Sequence, residues 1–114
     1  MEFILRKDIM GNKEALIKAL TNNLRTETVS VIHARYEGKP TTVALVNVDK
    51  TLSVEGKLEK AFMLTNSVND AWYTNEELIY MGPEKSCRST MAGDYVKFEN
   101  GKKFKCENTG WVEL

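Results

Sequence analysis

Cysteine, proline and histidine are scarce in this chain: two Cys, two Pro and one His among 114 residues. Each shortage closes off a class of answer. Two cysteines, Cys87 and Cys106, are too few for a disulfide framework, so they are expected to be reduced and the fold must rest on its hydrophobic core. One histidine, His33, leaves little room for a His-dependent nucleophile, and no nucleophile motif accompanies it. As a zinc ligand it would need Cys87 and Cys106, whose spacing matches no zinc pattern, so a strand histidine bonded to a neighbour is expected, with no metal and no cofactor. The prolines, Pro40 and Pro83, sit in turn-like contexts and make no linker. Charge of one sign is also missing. Sixteen basic residues balance sixteen acidic ones, which removes any long-range pull toward nucleic acid or anionic membrane. No apolar run approaches the ~20 residues of a membrane span. The segment Met1-Glu2-Phe3-Ile4-Leu5-Arg6-Lys7-Asp8 has no apolar signal region, and a cytoplasmic location is expected.

What is present is an ordinary globular composition, 42% hydrophobic and 28% charged, in a length that suits one domain. The most informative stretch is 88–114. A polar turn ending at Gly93-Asp94 leads into alternating apolar and polar residues, then Asn100-Gly101, then a second alternating run closing on Gly110-Trp111. An Asn-Gly pair between alternating runs predicts a hairpin with a type I′ turn, in which both central residues take positive φ. Upstream, Asn12 reads as an N-cap for a helix over Lys13–Leu24, with Leu16, Ile17, Leu20 and Leu24 on one face. From Thr28 the period becomes two: Val29, Val31 and His33 share one strand face, and Thr42–Val48 pairs back across a Glu37–Pro40 turn. Leu58, Ala61 and Phe62 then predict a second helix from Val54 to Asn66. The expected fold is α+β: a small antiparallel sheet of about five strands in two hairpins, with two packed helices, in a single domain. Residues 1–27 read as an N-terminal extension with a helix, and 28–114 as the core domain.

The segment Ala61-Phe62-Met63-Leu64-Thr65-Asn66, followed by Trp72, Asn75, Arg88-Ser89-Thr90, Gly93-Asp94 and Gly110-Trp111, resembles a group of small uncharacterised proteins of bacteriophages, plasmids and other mobile elements. The resemblance covers roughly residues 28–114, and the chain departs from the group's pattern at Met91 and Ala92. It implies no reaction. What it implies is genomic company, in which such proteins often serve host takeover or counter-defence.

Candidate sites are few. Arg88, Ser89, Thr90 and Asp94 could line an anion or nucleotide pocket, although Asp and Gly dominate turns for structural reasons and that reading takes precedence. Thr65-Asn66 and Asn75, around Trp72 and Tyr73, offer a polar and aromatic recognition surface, against a helix cap at Asn66 and a Trp that covers the sheet. Lys97, Lys103 and Lys105, with Tyr95 at the same parity as Lys97, make a basic strip that could track a nucleic-acid backbone; a solvated strand face is the commoner use of such lysines. The apolar stripe on the first helix could mediate self-association. The expectation from sequence is therefore a non-enzymatic mobile-element protein binding a host or defence protein. A nucleotide-signal binder stands second and a nucleic-acid-binding module third.

Overall fold

The computed structural model describes residues 25–67 and 71–114. The described residues form a six-stranded, fully antiparallel sheet with one α-helix packed on it. In chain order the strands are β1 (Thr26–His33), β2 (Thr41–Asp49), β3 (Leu78–Tyr80), β4 (Tyr95–Lys97), β5 (Lys103–Glu107) and β6 (Gly110–Glu113). Their spatial order is β3-β2-β1-β4-β5-β6, which places β1 near the middle. The helix, α1, spans Val54–Leu64. This corrects the expectation of about five strands and two packed helices. The helix expected at Lys13–Leu24, and the self-association assigned to it, lie outside the described residues.

The sixth strand explains part of the difference. Asn108-Thr109 turns the chain back so that Gly110 pairs with Glu107 and Trp111 with Cys106, and the Gly-Trp pair opens a strand of its own. A second correction concerns Asn100-Gly101. Only Gly101 has positive φ, at 91°, and no non-glycine residue among those described does. The Gly101 amide donates to Phe98 O, and Asn100 Oδ1 accepts from the Lys102 amide. The asparagine contributes its side chain while the glycine alone takes the left-handed conformation, a longer loop than a two-residue I′ turn.

β1 and β2 behave as their alternation dictates. Val29, Val31 and His33 are fully buried on the helix-facing side, opposite Val46 and Ala44 from β2. The pairing slips between Val31 and Ile32, whose partners are Ala44 and Thr42, so Val43 is the extra residue of a bulge. α1 starts where Ser53 caps it, its hydroxyl accepting from the Gly56 amide at 3.0 Å. Leu58, Ala61 and Leu64 are its buried stripe, and burying each leucine side chain is worth about 1.5–3 kcal/mol. Lys57 clamps the helix to β1 by an ion pair to Glu27 at 2.6 Å. Beyond α1, a 3₁₀ turn at Trp72–Thr74 sends Trp72 into the core at 2% exposure. No helix among the described residues is long and apolar enough to cross a membrane.

Candidate functional site

Two polar regions of opposite character stand on this frame. The first fills the space between the end of β1, the end of α1 and the segment 87–94. Arg88 reaches Asp94 with two parallel bonds, Nη1 to Oδ2 at 2.7 Å and Nη2 to Oδ1 at 2.8 Å. It reaches Glu37 with Nε to Oε2 at 3.1 Å and Nη2 to Oε1 at 2.9 Å. Nη1 also donates to Ser89 O at 3.0 Å. A guanidinium has five N–H donors, and these five bonds engage them all. Asp94, fully buried, also accepts from the amides of Ala34, Arg35 and Met91. Burial pushes the Asp94 carboxyl up, but the Arg88 bonds and the amides outweigh it and hold it below the usual carboxylate range. Glu37 is likewise lowered, its partial burial overcome by Arg88 and the Tyr36 amide. Gly93 makes the turn possible: its φ is +102°, and a Cβ there would meet Arg35 Cβ at 3.1 Å.

Beside this cluster runs a directional chain of neutral hydrogen bonds. Thr65 Oγ1 donates to Ala61 O at 2.8 Å, and Thr90 Oγ1 donates to Thr65 Oγ1 at 2.8 Å. The Thr90 oxygen, its proton used, is left to accept from His33 Nε2 at 2.9 Å. That assigns the Nε2–H tautomer to His33 and leaves Nδ1 to accept from the Cys87 thiol at 3.6 Å. Burial pushes the His33 pKa down, and attraction to Asp94, 3.9 Å away, only partly offsets it. Burial also pushes the Cys87 thiol up. The pair is therefore a neutral thiol and a neutral imidazole, the opposite of the thiolate a cysteine nucleophile requires. Trp72 closes the cluster, its Nε1 donating to Arg88 O at 2.9 Å while its ring meets His33 edge-on. A cleft of about 320 Å³ opens beside the cluster, lined by Glu37, Tyr80, Cys87 and Arg88 among others.

Of the residues nominated as a ligand pocket, Arg88, Thr90 and Asp94 thus meet one another or their neighbours inside the protein, and Ser89 Oγ accepts from the Ser67 amide. The arrangement presents no free guanidinium N–H to a phosphate. Glu37, Thr65 and Cys87 belong to the same cluster and were not nominated for this pocket. They lie 51, 25 and 54 residues from their partners Arg88, Thr90 and His33 in the chain, distances at which sequence spacing gives no signal.

The second region lies on the other face of the sheet. Lys97 is directly opposite Lys103, and Tyr95 directly opposite Lys105, because Val96 and Phe104 between them point to the core side. Lys97 and Lys103 are exposed, and neither has a carboxylate partner within 4 Å among the described residues. Lys103 Nζ sits 5.9 Å from the Tyr95 ring centre. Of the three lysines, Lys105 alone has a carboxylate within 4 Å among the described residues, Glu107 at 3.9 Å. The strand pairing continues the block: Val112 stands opposite Lys105, and the Leu114 amide bonds Lys103 O. Both aliphatic side chains are exposed, at 52% and 65%. Sequence reading missed these two because it did not extend the face parity across the Asn108-Thr109 turn.

The remaining nominees are elsewhere. Tyr73 is half-buried and packs on Tyr80 and Trp72. Asn75 Oδ1 accepts from the Glu77 amide, closing the turn before β3. β3 and β4 are separated by β2 and β1, so Tyr73 and Asn75 do not join the lysines in one surface.

Comparison with known proteins adds the family. Neither the curated proteins nor the solved structures contain a match to this chain. A family model does match, that of the Firmicute plasmid replication protein (RepL), over residues 1–111. With nearly the whole sequence inside that match, the chain belongs to the Firmicute plasmid replication protein (RepL) family, a family of mobile-element proteins.

Proposed function

We propose that the protein is a non-enzymatic, DNA-binding factor of plasmid replication. The observation that carries this is the block of Lys97, Lys103 and Lys105 on one sheet face, with like charges set directly opposite each other and little acid among them. Like charges in register destabilise an antiparallel pair, so their placement serves something other than the fold. A polyanion is the partner that such a block attracts, and DNA is the polyanion a replication protein meets. Zero net charge is no obstacle, since the attraction is local to the patch. The Cys87 thiol, kept protonated by its burial beside the neutral His33 ring, supports a non-catalytic role. Family membership moves the preference away from a host or defence protein, the partner favoured by sequence reading.

The test is fluorescence anisotropy of labelled mixed-sequence DNA with the intact chain, titrated with salt. The expected outcome is binding that weakens as salt rises and is lost in the triple substitution Lys97→Gln, Lys103→Gln, Lys105→Gln. Absence of binding at about 50 mM salt, where backbone contacts are strong, would overturn the reading.

A further inference from the structure

The geometry points to single-stranded rather than duplex nucleic acid as the occupant of this sheet face, an inference that rests on the DNA-binding reading and deepens it. Six residues form the patch: Tyr95, Lys97, Lys103, Lys105, Val112 and Leu114. Lys103 and Lys105 are two residues apart on one strand, which sets their Cα atoms about 6.6 Å apart, and Lys97 lies across from Lys103 at a strand spacing of about 4.8 Å. The cations therefore lie close together on a flat surface, with no projecting helix among the patch residues to enter a groove. Two exposed aliphatic side chains adjoin them at 52% and 65% exposure, and a half-buried aromatic ring lies beneath Lys103.

A duplex offers this patch only phosphates. Its bases are stacked inside, so Val112 and Leu114 would face charged backbone and gain nothing. A single strand offers both parts at once: phosphates to the three ammonium groups and unstacked base faces to the apolar side chains. An anionic membrane would also satisfy lysines beside exposed aliphatics. The nucleic acid is favoured because the family is one of replication proteins.

The experiment compares the intact chain on a labelled oligothymidylate of 20 nucleotides, on a duplex of equal length, and on phosphatidylcholine vesicles containing phosphatidylglycerol. Tighter binding to the single strand, with a log–log salt slope near −2 for three neutralised phosphates at about −0.7 each, supports the inference. The double substitution Val112→Ser, Leu114→Ser should weaken the single strand by about tenfold and leave the duplex unchanged, and circular dichroism checks that the variant remains folded. Equal or tighter binding to the duplex, or loss on both in the serine variant, overturns the inference while the DNA-binding reading stands. No binding to either DNA overturns both. Vesicle binding that depends on the lysines, without DNA binding, replaces them with a membrane role.

Discussion

The cluster around Asp94 and the patch around Lys97 are both polar, and they obey opposite rules. In the first, every strong donor has an acceptor: Arg88 uses all five N–H groups, and the hydroxyls run in one direction from His33 to Ala61 O. In the second, two ammonium groups face each other with no carboxylate between them. Burial accounts for the difference. A buried polar group left unpaired costs about 1–3 kcal/mol, so the interior enforces saturation, whereas an exposed lysine stays hydrated and can be left alone. Saturation therefore marks what the fold needs, and uncompensated surface charge marks what the fold does not need.

The comparison breaks most severely at Asp94. Asp94→Ala removes the partner of a bidentate guanidinium and strips three amides of their acceptor. Breaking a buried pair from one side costs about 3–5 kcal/mol. Urea denaturation should show the unfolding free energy falling by that amount, read as a lower midpoint with an unchanged slope. A loss below about 1 kcal/mol would mean that Asp94 is not an architectural group.

Next in size is the threonine chain. Thr90→Val keeps the shape and removes the acceptor of His33 Nε2–H and the donor to Thr65 Oγ1, for an expected cost of about 1–3 kcal/mol. Thr65→Val alone should cost a similar amount, and the double variant less than the sum, since both substitutions disrupt one chain. Strict additivity in the double-mutant cycle would show that the two hydroxyls act independently.

Acid should unravel the same cluster in two stages. His33 has a folded pKa below its ordinary 6.5. As pH drops below that value, the unfolded chain binds a proton that the folded chain refuses, so stability declines until the folded pKa is passed. Asp94 and Glu37 are held low as carboxylates, so they contribute stability above about pH 4 that is lost as pH falls through their folded values. Both stages have the same sign. Urea midpoints from pH 8 to pH 3 should fall twice, and His33→Gln should abolish the upper step only. Rising stability between pH 7 and pH 5 would contradict the neutral, buried imidazole.

Much of this was legible in the chain, and the reason lies in which interactions are local. The period-two run at Val29, Val31 and His33 and the helix start at Val54 depend on neighbours a few residues away, and the β1–β2 hairpin follows the hydrophobic alternation. Glu37, Thr65 and His33 converge on Arg88 and Thr90 from 51, 25 and 57 residues away, a convergence that only the sheet order creates. Asn100-Gly101 shows a subtler limit. The pair marks a turn reliably, yet two residues cannot say whether the asparagine gives its backbone or its side chain to it. Lys97, Lys103 and Lys105 were recognisable as a strip, but their direct opposition, and the aliphatic pair that completes the patch, depended on register.

The smallest effect is the most discriminating, because its sign is reversed. If Lys97 serves the fold, as a solubilising group on an interior strand, replacing it should cost stability or change nothing. If it is held there against the fold's interest, replacing it should help. Lys97→Glu converts a like-charge cross-strand pair with Lys103 into an opposite-charge one, for an expected gain of about 0.2–1 kcal/mol. The gain is electrostatic and exposed, so it should shrink toward zero at about 1 M salt, where screening extends only ~3 Å. Thermal melts of the parent and variant at low and high salt would measure it, alongside the DNA affinity that the same substitution should reduce. A variant that is more stable and binds less would separate the lysine patch from the Asp94 cluster by function as well as by geometry. A variant less stable at low salt would return Lys97 to the architecture and leave the two regions alike.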